Sequence, residues 1–172
     1  MNIPNMLTLF RLFLIPVFAI TFFSNIKNSL IFSILIFLLA GFTDILDGYI
    51  ARKYKLITKC GIILDPLADK LMLITVLTCL TIKSYSPLWI LIIVTIKEFS
   101  MIIGGAILYN KNTVIPSNKF GKIATLLFYI AIFTMIFNVK IADFLLYIAV
   151  FSTIIAFINY FAIYLKDKKE TS

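Results

Sequence analysis

The chain has 172 residues, of which 62% are hydrophobic and 14% are charged, and its formal net charge is +8. This apolar share is far above that of a soluble domain, so the composition indicates an integral membrane protein with no room for a separate soluble domain. Because the sequence contains no histidine, it excludes Ser-His-Asp catalysis, histidine metal sites and the imidazole nucleophile of phospholipase-D-type enzymes.

Uninterrupted apolar runs predict six transmembrane helices, because about 20 helical residues cross the bilayer core. In chain order the runs cover residues 6–24, 29–52, 61–82, 86–109, 119–138 and 141–165. The first run lacks a basic leader and a cleavage site, so we expect it to be retained as a membrane helix. Because the connections are short, we predict a single all-α membrane domain over residues 1–172.

Basic residues are distributed unevenly between the two ends of the predicted helices. One end carries ten of them: Arg52, Lys53, Lys55, Lys59, Lys111, Lys119, Lys122, Lys166, Lys168 and Lys169. The other end carries three: Lys27, Lys83 and Lys140. The positive-inside rule therefore predicts that both chain termini are cytoplasmic. Since the charges lie at membrane edges, they favour anionic lipid and phosphate as partners and argue against nucleic acid.

Four of the eight acidic residues are concentrated in 26 positions around the second and third predicted helices. They are Asp44 and Asp47, three positions apart, and Asp65 and Asp69, four positions apart. These spacings place each pair on one helix face, and carboxylates so near hydrocarbon require cations or water. Oxygen ligands without histidine or cysteine favour Mg²⁺ or Mn²⁺, and four acids suit two bridged ions.

A structural alternative treats the same acids as helix caps paired with neighbouring cations. The candidate partners are Arg52, Lys53, Lys59 and Lys70. Caps alone do not explain acidic pairs with i, i+3 and i, i+4 spacing on two successive helices, so we favour the metal site.

The acidic segment, DILDGYIARKYKLITKCGIILDPLAD, fits the pattern D-x2-D-G-x2-A-R-x8-G-x3-D-x3-D at every fixed position. It therefore resembles the CDP-alcohol phosphatidyltransferase family, and the resemblance covers most of the chain. Family members are six-span enzymes that transfer a phosphatidyl group from a CDP-linked lipid to an alcohol and release CMP. The resemblance also implies a cytoplasm-facing polar active-site cavity and a homodimer.

The resemblance assigns roles within this segment. Asp44, Asp47 and Asp65 are expected to bind two divalent cations that hold the diphosphate, and Asp69 to contact the second ion and accept the alcohol proton. Without histidine, a carboxylate is the reasonable base. The residues expected to contact or make room for the CDP-linked lipid are Gly48, Ala51, Arg52 and Gly61.

The acceptor pocket is predicted from basic residues farther along the chain. Lys97 lies inside an apolar run, where it needs a partner, and its neighbour Glu98 is expected to face another direction and pair elsewhere. An ion pair with another helix is the structural alternative for Lys97. Before and within the fifth run, Ser117, Lys119 and Lys122 could bind a phosphate, or the lysines could contact lipid headgroups.

Two acceptors stay open from the sequence. The chain is most similar to family members that use sn-glycerol 3-phosphate with CDP-diacylglycerol. Those members have arginine at the positions of Lys97 and Gly105 and lysine at the position of Ala124. The departures leave phosphatidylglycerol, the acceptor of CDP-alcohol-type cardiolipin synthesis, as the alternative. A small cation transporter or channel would distribute its acids through the membrane depth, so the clustering argues against it.

Overall fold

Six α-helices make up nearly all of the structure, a computed structural model that describes residues 3–54, 59–110 and 119–170. Their bounds are α1 Ile3–Phe23, α2 Ser29–Lys53, α3 Lys59–Ile82, α4 Leu88–Asn110, α5 Lys119–Thr134 and α6 Val139–Glu170. No β-strand occurs within the described residues. The all-α fold predicted from the sequence is therefore confirmed.

The helices occupy the predicted apolar runs, and the largest differences are at the ends of the last two. α5 ends at Thr134 and not at residue 138, because a turn that ends at Asn138 precedes α6. The side-chain oxygen of Asn138 accepts hydrogen bonds from the backbone nitrogens of Lys140 (3.0 Å) and Ile141 (3.3 Å) at the start of α6. α6 extends to Glu170, beyond the predicted residue 165. The extension is polar, but lysine and glutamate are good helix formers, so loss of hydrophobicity does not end the helix.

Among the described residues, three helices are long and apolar enough to cross a membrane: Pro4–Phe23, Ser29–Lys53 and Val139–Asn159. Each of them exposes large apolar side chains, such as Ile20 (72%), Ile45 (71%) and Phe151 (66%). Such surfaces are stable in contact with lipid and unfavourable in water. The chain is thus a multi-pass membrane protein.

The first compact unit, residues 1–86, contains α1, α2 and α3. α2 and α3 each pack more extensively against α1 than against one another. Phe18 and Phe22 of α1, Phe37 of α2 and Leu77 of α3 are fully buried in this unit. α1 is therefore the main neighbour of the two helices that carry the acidic pairs.

Lys83, which follows α3, contacts the end of α1. Lys83 Nζ donates a 2.6 Å hydrogen bond to the Phe22 carbonyl oxygen and lies 4.8 Å from the centroid of the Phe22 ring. The contact satisfies a carbonyl in the last turn of α1, which has no partner within its own helix.

The second compact unit, residues 87–172, contains α4, α5 and α6. α5 and α6 form a helical hairpin, and α4 packs on α6, where the rings of Trp89 and Tyr147 are stacked 5.7 Å apart. Phe128 and Leu146 are buried in this unit. The organisation of residues 1–172 as a single domain stays a prediction.

Candidate active site

The structure brings carboxylates of the two acidic pairs together within the first unit. Asp44 of α2 lies close enough to Asp65 and Asp69 of α3 for their charges to interact, and Asp47 interacts in the same way with Asp44 and Asp65. The carboxylates of α2 and α3 are therefore neighbours, and together they concentrate negative charge that needs cations.

Arg11 of α1 lies among these acids. Its Nη1 is 2.6 Å from Asp44 Oδ1, and its Nη2 donates to Asp47 Oδ2. Nη1 also donates to the backbone oxygen of Asp65 at 3.4 Å. Arg11 is 1% and Asp47 2% exposed, so this is a buried ion pair. Within the residues that the structure describes, the cation that contacts both Asp44 and Asp47 comes from α1.

Thr8 stands three positions before Arg11 on the same face of α1. Its Oγ1 contacts Asp65 Oδ1 and lies 3.1 Å from the Pro4 carbonyl oxygen. A hydroxyl has one proton, so Thr8 donates to one of these acceptors at a time. When it donates to Asp65, it fixes the orientation of that carboxylate.

Sequence reasoning missed the contribution of Thr8 and Arg11 to the acidic cluster, although a signal was present. The two residues have an i, i+3 spacing in a helix that is otherwise almost entirely apolar. An arginine inside a membrane span is expensive and by default marks a functional site. What the sequence could not give is the identity of its partners.

Asp69 has a different environment from Asp47. Its Oδ2 lies 4.0 Å from Nζ of the adjacent Lys70, and its side chain is 21% exposed. A proton acceptor has to be reached by the group it deprotonates, and this partial exposure allows that access. Asp47 is nearly enclosed and suits a fixed ligand or ion-pair role better.

The donor set of this cluster fits hard divalent cations, because it consists of carboxylate oxygens and carries more negative than positive charge. The arrangement itself is not that of a metal site: among the described residues, no three acidic or cysteine side chains are placed to hold one ion. Arg11 contacts both Asp44 and Asp47 instead. A two-ion site at these carboxylates stays a prediction.

The residues predicted to face the CDP-linked lipid lie on the same two helices. Arg52 is exposed, and its Nε donates a 2.8 Å hydrogen bond to the Gly48 carbonyl oxygen. A methyl group at Gly48 would lie 3.8 Å from Arg52 Nη2, an ordinary van der Waals contact. Ala51 is half-buried and Gly61 is buried. The prediction that these residues bind the lipid is not tested by their positions.

The prediction that Lys97 and Glu98 do not pair with each other is wrong. Lys97 Nζ lies 2.8 Å from Glu98 Oε1, and the residues are only 6% and 2% exposed. Adjacent Cα atoms point to different helix faces, but long flexible side chains let the charged ends meet. Because two separated charges are unfavourable in a buried environment, burial favours this contact.

The other predicted acceptor residues also belong to the second unit. Lys122 is exposed on α5, whereas Ala124, at a position expected to carry lysine in similar proteins, is buried. Lys119 begins α5, but its side chain lies outside the described residues, as does Ser117 altogether. A shared phosphate pocket formed by these residues stays a prediction.

Comparison with known proteins gives consistent matches. The sequence profile of the CDP-alcohol phosphatidyltransferase family matches residues 1–155. Three bacterial relatives are each named CDP-diacylglycerol–glycerol-3-phosphate 3-phosphatidyltransferase. The protein from Wigglesworthia glossinidia brevipalpis is 34% identical over 181 aligned positions, 97% of both chains. The Bacillus subtilis protein is 35% identical over 136 positions, 72% of this chain and 70% of the relative. The Haemophilus influenzae protein is 48% identical over 91 positions, about half of either chain.

Proposed function

Because the chain belongs to the CDP-alcohol phosphatidyltransferase family and is an enzyme of that class, we propose that it transfers a phosphatidyl group from CDP-diacylglycerol to sn-glycerol 3-phosphate. The products are phosphatidylglycerophosphate and CMP, so the enzyme serves phospholipid biosynthesis. The relative from Wigglesworthia, which carries the name of this activity and aligns over 97% of the chain, supports the choice of acceptor. The observation that carries the chemistry is the convergence of carboxylates from α2 and α3.

In this proposal Asp69 is the catalytic base. A hydroxyl oxygen of glycerol 3-phosphate attacks the phosphorus that bears the diacylglycerol, while Asp69 accepts the hydroxyl proton. The new phosphorus–oxygen bond forms as the bond to the CMP oxygen breaks, and CMP leaves. The partial exposure of the Asp69 side chain supports this assignment, because the acceptor must reach it.

Asp44, Asp47, Asp65 and Asp69 are the proposed ligands of two divalent cations, Mg²⁺ or Mn²⁺. When bound, these ions would neutralise the diphosphate and stabilise the charge that develops on the leaving phosphate. The protein contributes the fixed oxygen ligands and their support. Thr8 holds the Asp65 carboxylate, and burial restricts Asp47 to a narrow range of orientations.

The CDP-diacylglycerol site extends along the same segment. Arg52 is exposed one turn after Gly48, so its guanidinium can pair with a CDP phosphate. Gly48, Ala51 and Gly61 are small, and they would let the nucleotide approach the helix backbones. The acyl chains would remain in the lipid, in keeping with the apolar surface of the spans.

The acceptor phosphate is assigned to the basic residues Lys97, Lys119 and Lys122, with Ser117 contributing a hydroxyl. Lys97 is already buried beside Glu98, and an anion entering its surroundings would compete with that carboxylate for the ammonium group. Lys122 is exposed and would meet a soluble phosphate without breaking an ion pair. The orientation that places this chemistry at the cytoplasmic face, and a homodimeric assembly, belong to the same proposal.

The test is CMP release by the purified full-length protein with CDP-diacylglycerol and Mg²⁺ or Mn²⁺. Four acceptors are compared: glycerol 3-phosphate, phosphatidylglycerol, serine and inositol 1-phosphate. Release with glycerol 3-phosphate alone supports the proposal. It would also mean that the charges absent at Gly105 and Ala124 are supplied elsewhere.

Release with phosphatidylglycerol alone would contradict glycerol 3-phosphate as the acceptor and assign the enzyme to cardiolipin synthesis.

The same preparation with EDTA in place of the metal measures the dependence on divalent cations. We expect loss of CMP release and its recovery when Mg²⁺ is restored, because four clustered carboxylates repel the diphosphate until they are neutralised.

A further inference from the structure

Among the described cations of the first unit, Arg11 is the most completely enclosed, at 1% exposure. Its two terminal nitrogens are divided between two acids, with Nη1 at Asp44 and Nη2 at Asp47. Its Nε is buried and has no hydrogen-bond partner among the described residues. The side chain therefore satisfies two carboxylates while leaving one of its own donors without a bond, which is not the arrangement of a fully optimised structural ion pair.

We propose that Arg11 is an internal counter-ion of the metal-free enzyme, which a divalent cation must displace from Asp44 and Asp47. The inference rests on the proposed function, because it takes these two carboxylates to be metal ligands. It adds a role for a residue outside the acidic segment: Arg11 and the metal compete for the same carboxylate oxygens.

The argument begins with the shared ligands. Arg11 contacts Asp44 Oδ1 and Asp47 Oδ2, and both carboxylates are metal ligands in the proposed function. A guanidinium at hydrogen-bond distance from both carboxylates would place a positive charge beside a divalent ion. The Asp44 side chain is 40% exposed, but Arg11 and Asp47 are buried, so the repulsion is weakly screened at Asp47. Both cations therefore cannot keep these contacts together.

The metal-free protein needs such a counter-ion. Asp47 is 2% exposed and interacts with the charges of Asp44 and Asp65. Leaving its charge unpaired would be strongly unfavourable, so the fold without metal depends on a cation at this place. Arginine suits the task because its planar group reaches two carboxylates at once, which a lysine ammonium does less well.

A purely structural role for Arg11 predicts the opposite response to mutation. If Arg11 only braced Asp44 and Asp47, its removal would disorder the ligands and weaken metal binding. If Arg11 competes with the metal, its removal frees the ligands and strengthens metal binding. The sign of the change in affinity separates the two roles.

The experiment measures Mn²⁺ affinity of the full-length protein in detergent, without lipid substrate, from the electron paramagnetic resonance signal of free Mn²⁺. The variants are Arg11→Gln and Arg11→Lys. We expect Arg11→Gln to bind Mn²⁺ roughly tenfold more tightly than the unmodified protein, since no buried ion pair must be broken first. Arg11→Lys should fall between them, because its ammonium group keeps the charge but holds fewer contacts.

Lys53→Gln is the matched control. Lys53 is an exposed cation at the end of α2 that lies over the rings of Tyr49 and Tyr54, so its loss removes one positive charge without changing the buried pair. We expect its Mn²⁺ affinity to remain within about twofold of the unmodified protein, because exposed charges are strongly screened.

A second measurement follows thermal unfolding with and without Mn²⁺. Arg11→Gln should lose stability in EDTA and recover most of it on adding Mn²⁺, because the metal replaces the missing counter-ion. If Arg11→Gln does not fold, Arg11→Lys still distinguishes the roles by the sign of its affinity change.

Equal or weaker Mn²⁺ binding by both Arg11 variants, with normal binding by the unmodified protein, overturns the counter-ion role and leaves the proposed function intact. Absence of Mn²⁺ binding in every protein overturns the proposed metal site and this inference together. Tighter binding in the Arg11 variants but not in Lys53→Gln supports the displacement of Arg11.

Discussion

At the scale of single residues, Asp69 is the group on which the proposed chemistry depends. Asp69→Asn keeps the size of the side chain and removes its ability to accept a proton. We expect turnover to fall by about 10²- to 10⁴-fold, the range typical of a lost general base, while CDP-diacylglycerol still binds. CMP release and binding of a labelled CDP-lipid measure the two effects.

The matched control for Asp69 is Asp143→Asn. Asp143 is a half-buried acid of α6, in the second unit, and it lies outside the acidic segment. The same chemical change there should leave CMP release largely unaffected. Normal turnover by Asp69→Asn would refute its assignment as the base.

Thr8 provides a second prediction at this scale, because it contacts the Asp65 carboxylate through one hydroxyl group. Thr8→Val removes the donor at nearly constant volume and should lower CMP release by about tenfold, an amount typical of a lost support to a metal ligand. Thr8→Ser keeps the hydroxyl and should retain most of the activity. Normal activity of Thr8→Val together with a loss in Thr8→Ser would show that packing of the Thr8 methyl group, and not the hydrogen bond, is what matters.

At the scale of an element, the end of α3 has a conformation that favours glycine. Ser84 adopts a positive φ of 59°, and two hydrogen bonds close the helix end, from the backbone nitrogen of Ser84 to the Thr81 oxygen and from that of Tyr85 to the Leu80 oxygen. This is a Schellman motif, in which the residue with positive φ is usually glycine. The arrangement places the Tyr85 ring edge-on to Phe22, 6.4 Å away.

Ser84→Gly should therefore stabilise the protein by up to about 1 kcal/mol, because glycine adopts a positive φ without strain, although it also loses more backbone entropy on folding. The midpoint of thermal unfolding in detergent measures the change. Asn25→Gly is the control: this exposed loop residue does not have a positive φ, so glycine should be neutral or destabilising there. Equal effects of both substitutions would contradict the argument from φ.

At the scale of the whole molecule, the distribution of basic residues predicts cytoplasmic termini. The two ends of α2 allow a direct test, because Lys27 and Lys53 are both exposed and lie on either side of that span. Single cysteines at these positions, with Cys60 and Cys79 replaced by alanine, are treated with a membrane-impermeant maleimide in intact cells. We expect labelling of Lys27→Cys at once and of Lys53→Cys only after the membrane is permeabilised.

The reverse labelling pattern would place the acidic cluster on the opposite face of the membrane. It would also separate the proposed site from a cytoplasmic supply of glycerol 3-phosphate. The measurement depends on neither catalysis nor metal binding, so it tests orientation independently of the proposed function.

The positions of the helices could be predicted from the sequence because hydrophobicity and helix length are local properties. A run of about 20 apolar residues has few stable alternatives in a membrane, since every backbone polar group must be bonded within the segment. The exact ends were less predictable. The hydrogen bonds of Asn138 set the start of α6, and helix propensity extends the polar tail of α6 by a few residues. Neither effect can be read from the pattern of apolar residues.

The sequence alone predicts the acidic pairs, because three- and four-residue spacings place carboxylates on the same helix face. It did not determine their partners. Arg11 and Thr8 are 36 and 57 positions away from Asp47 and Asp65, and they meet them only because α1 packs against both α2 and α3. Likewise, the contact between Lys97 and Glu98 follows from burial and side-chain conformation, not from spacing. The residues that share a helix face follow from their spacing in the sequence. The groups that a buried charge contacts are determined only when the helices pack, exclude water and leave each charge the groups within its reach.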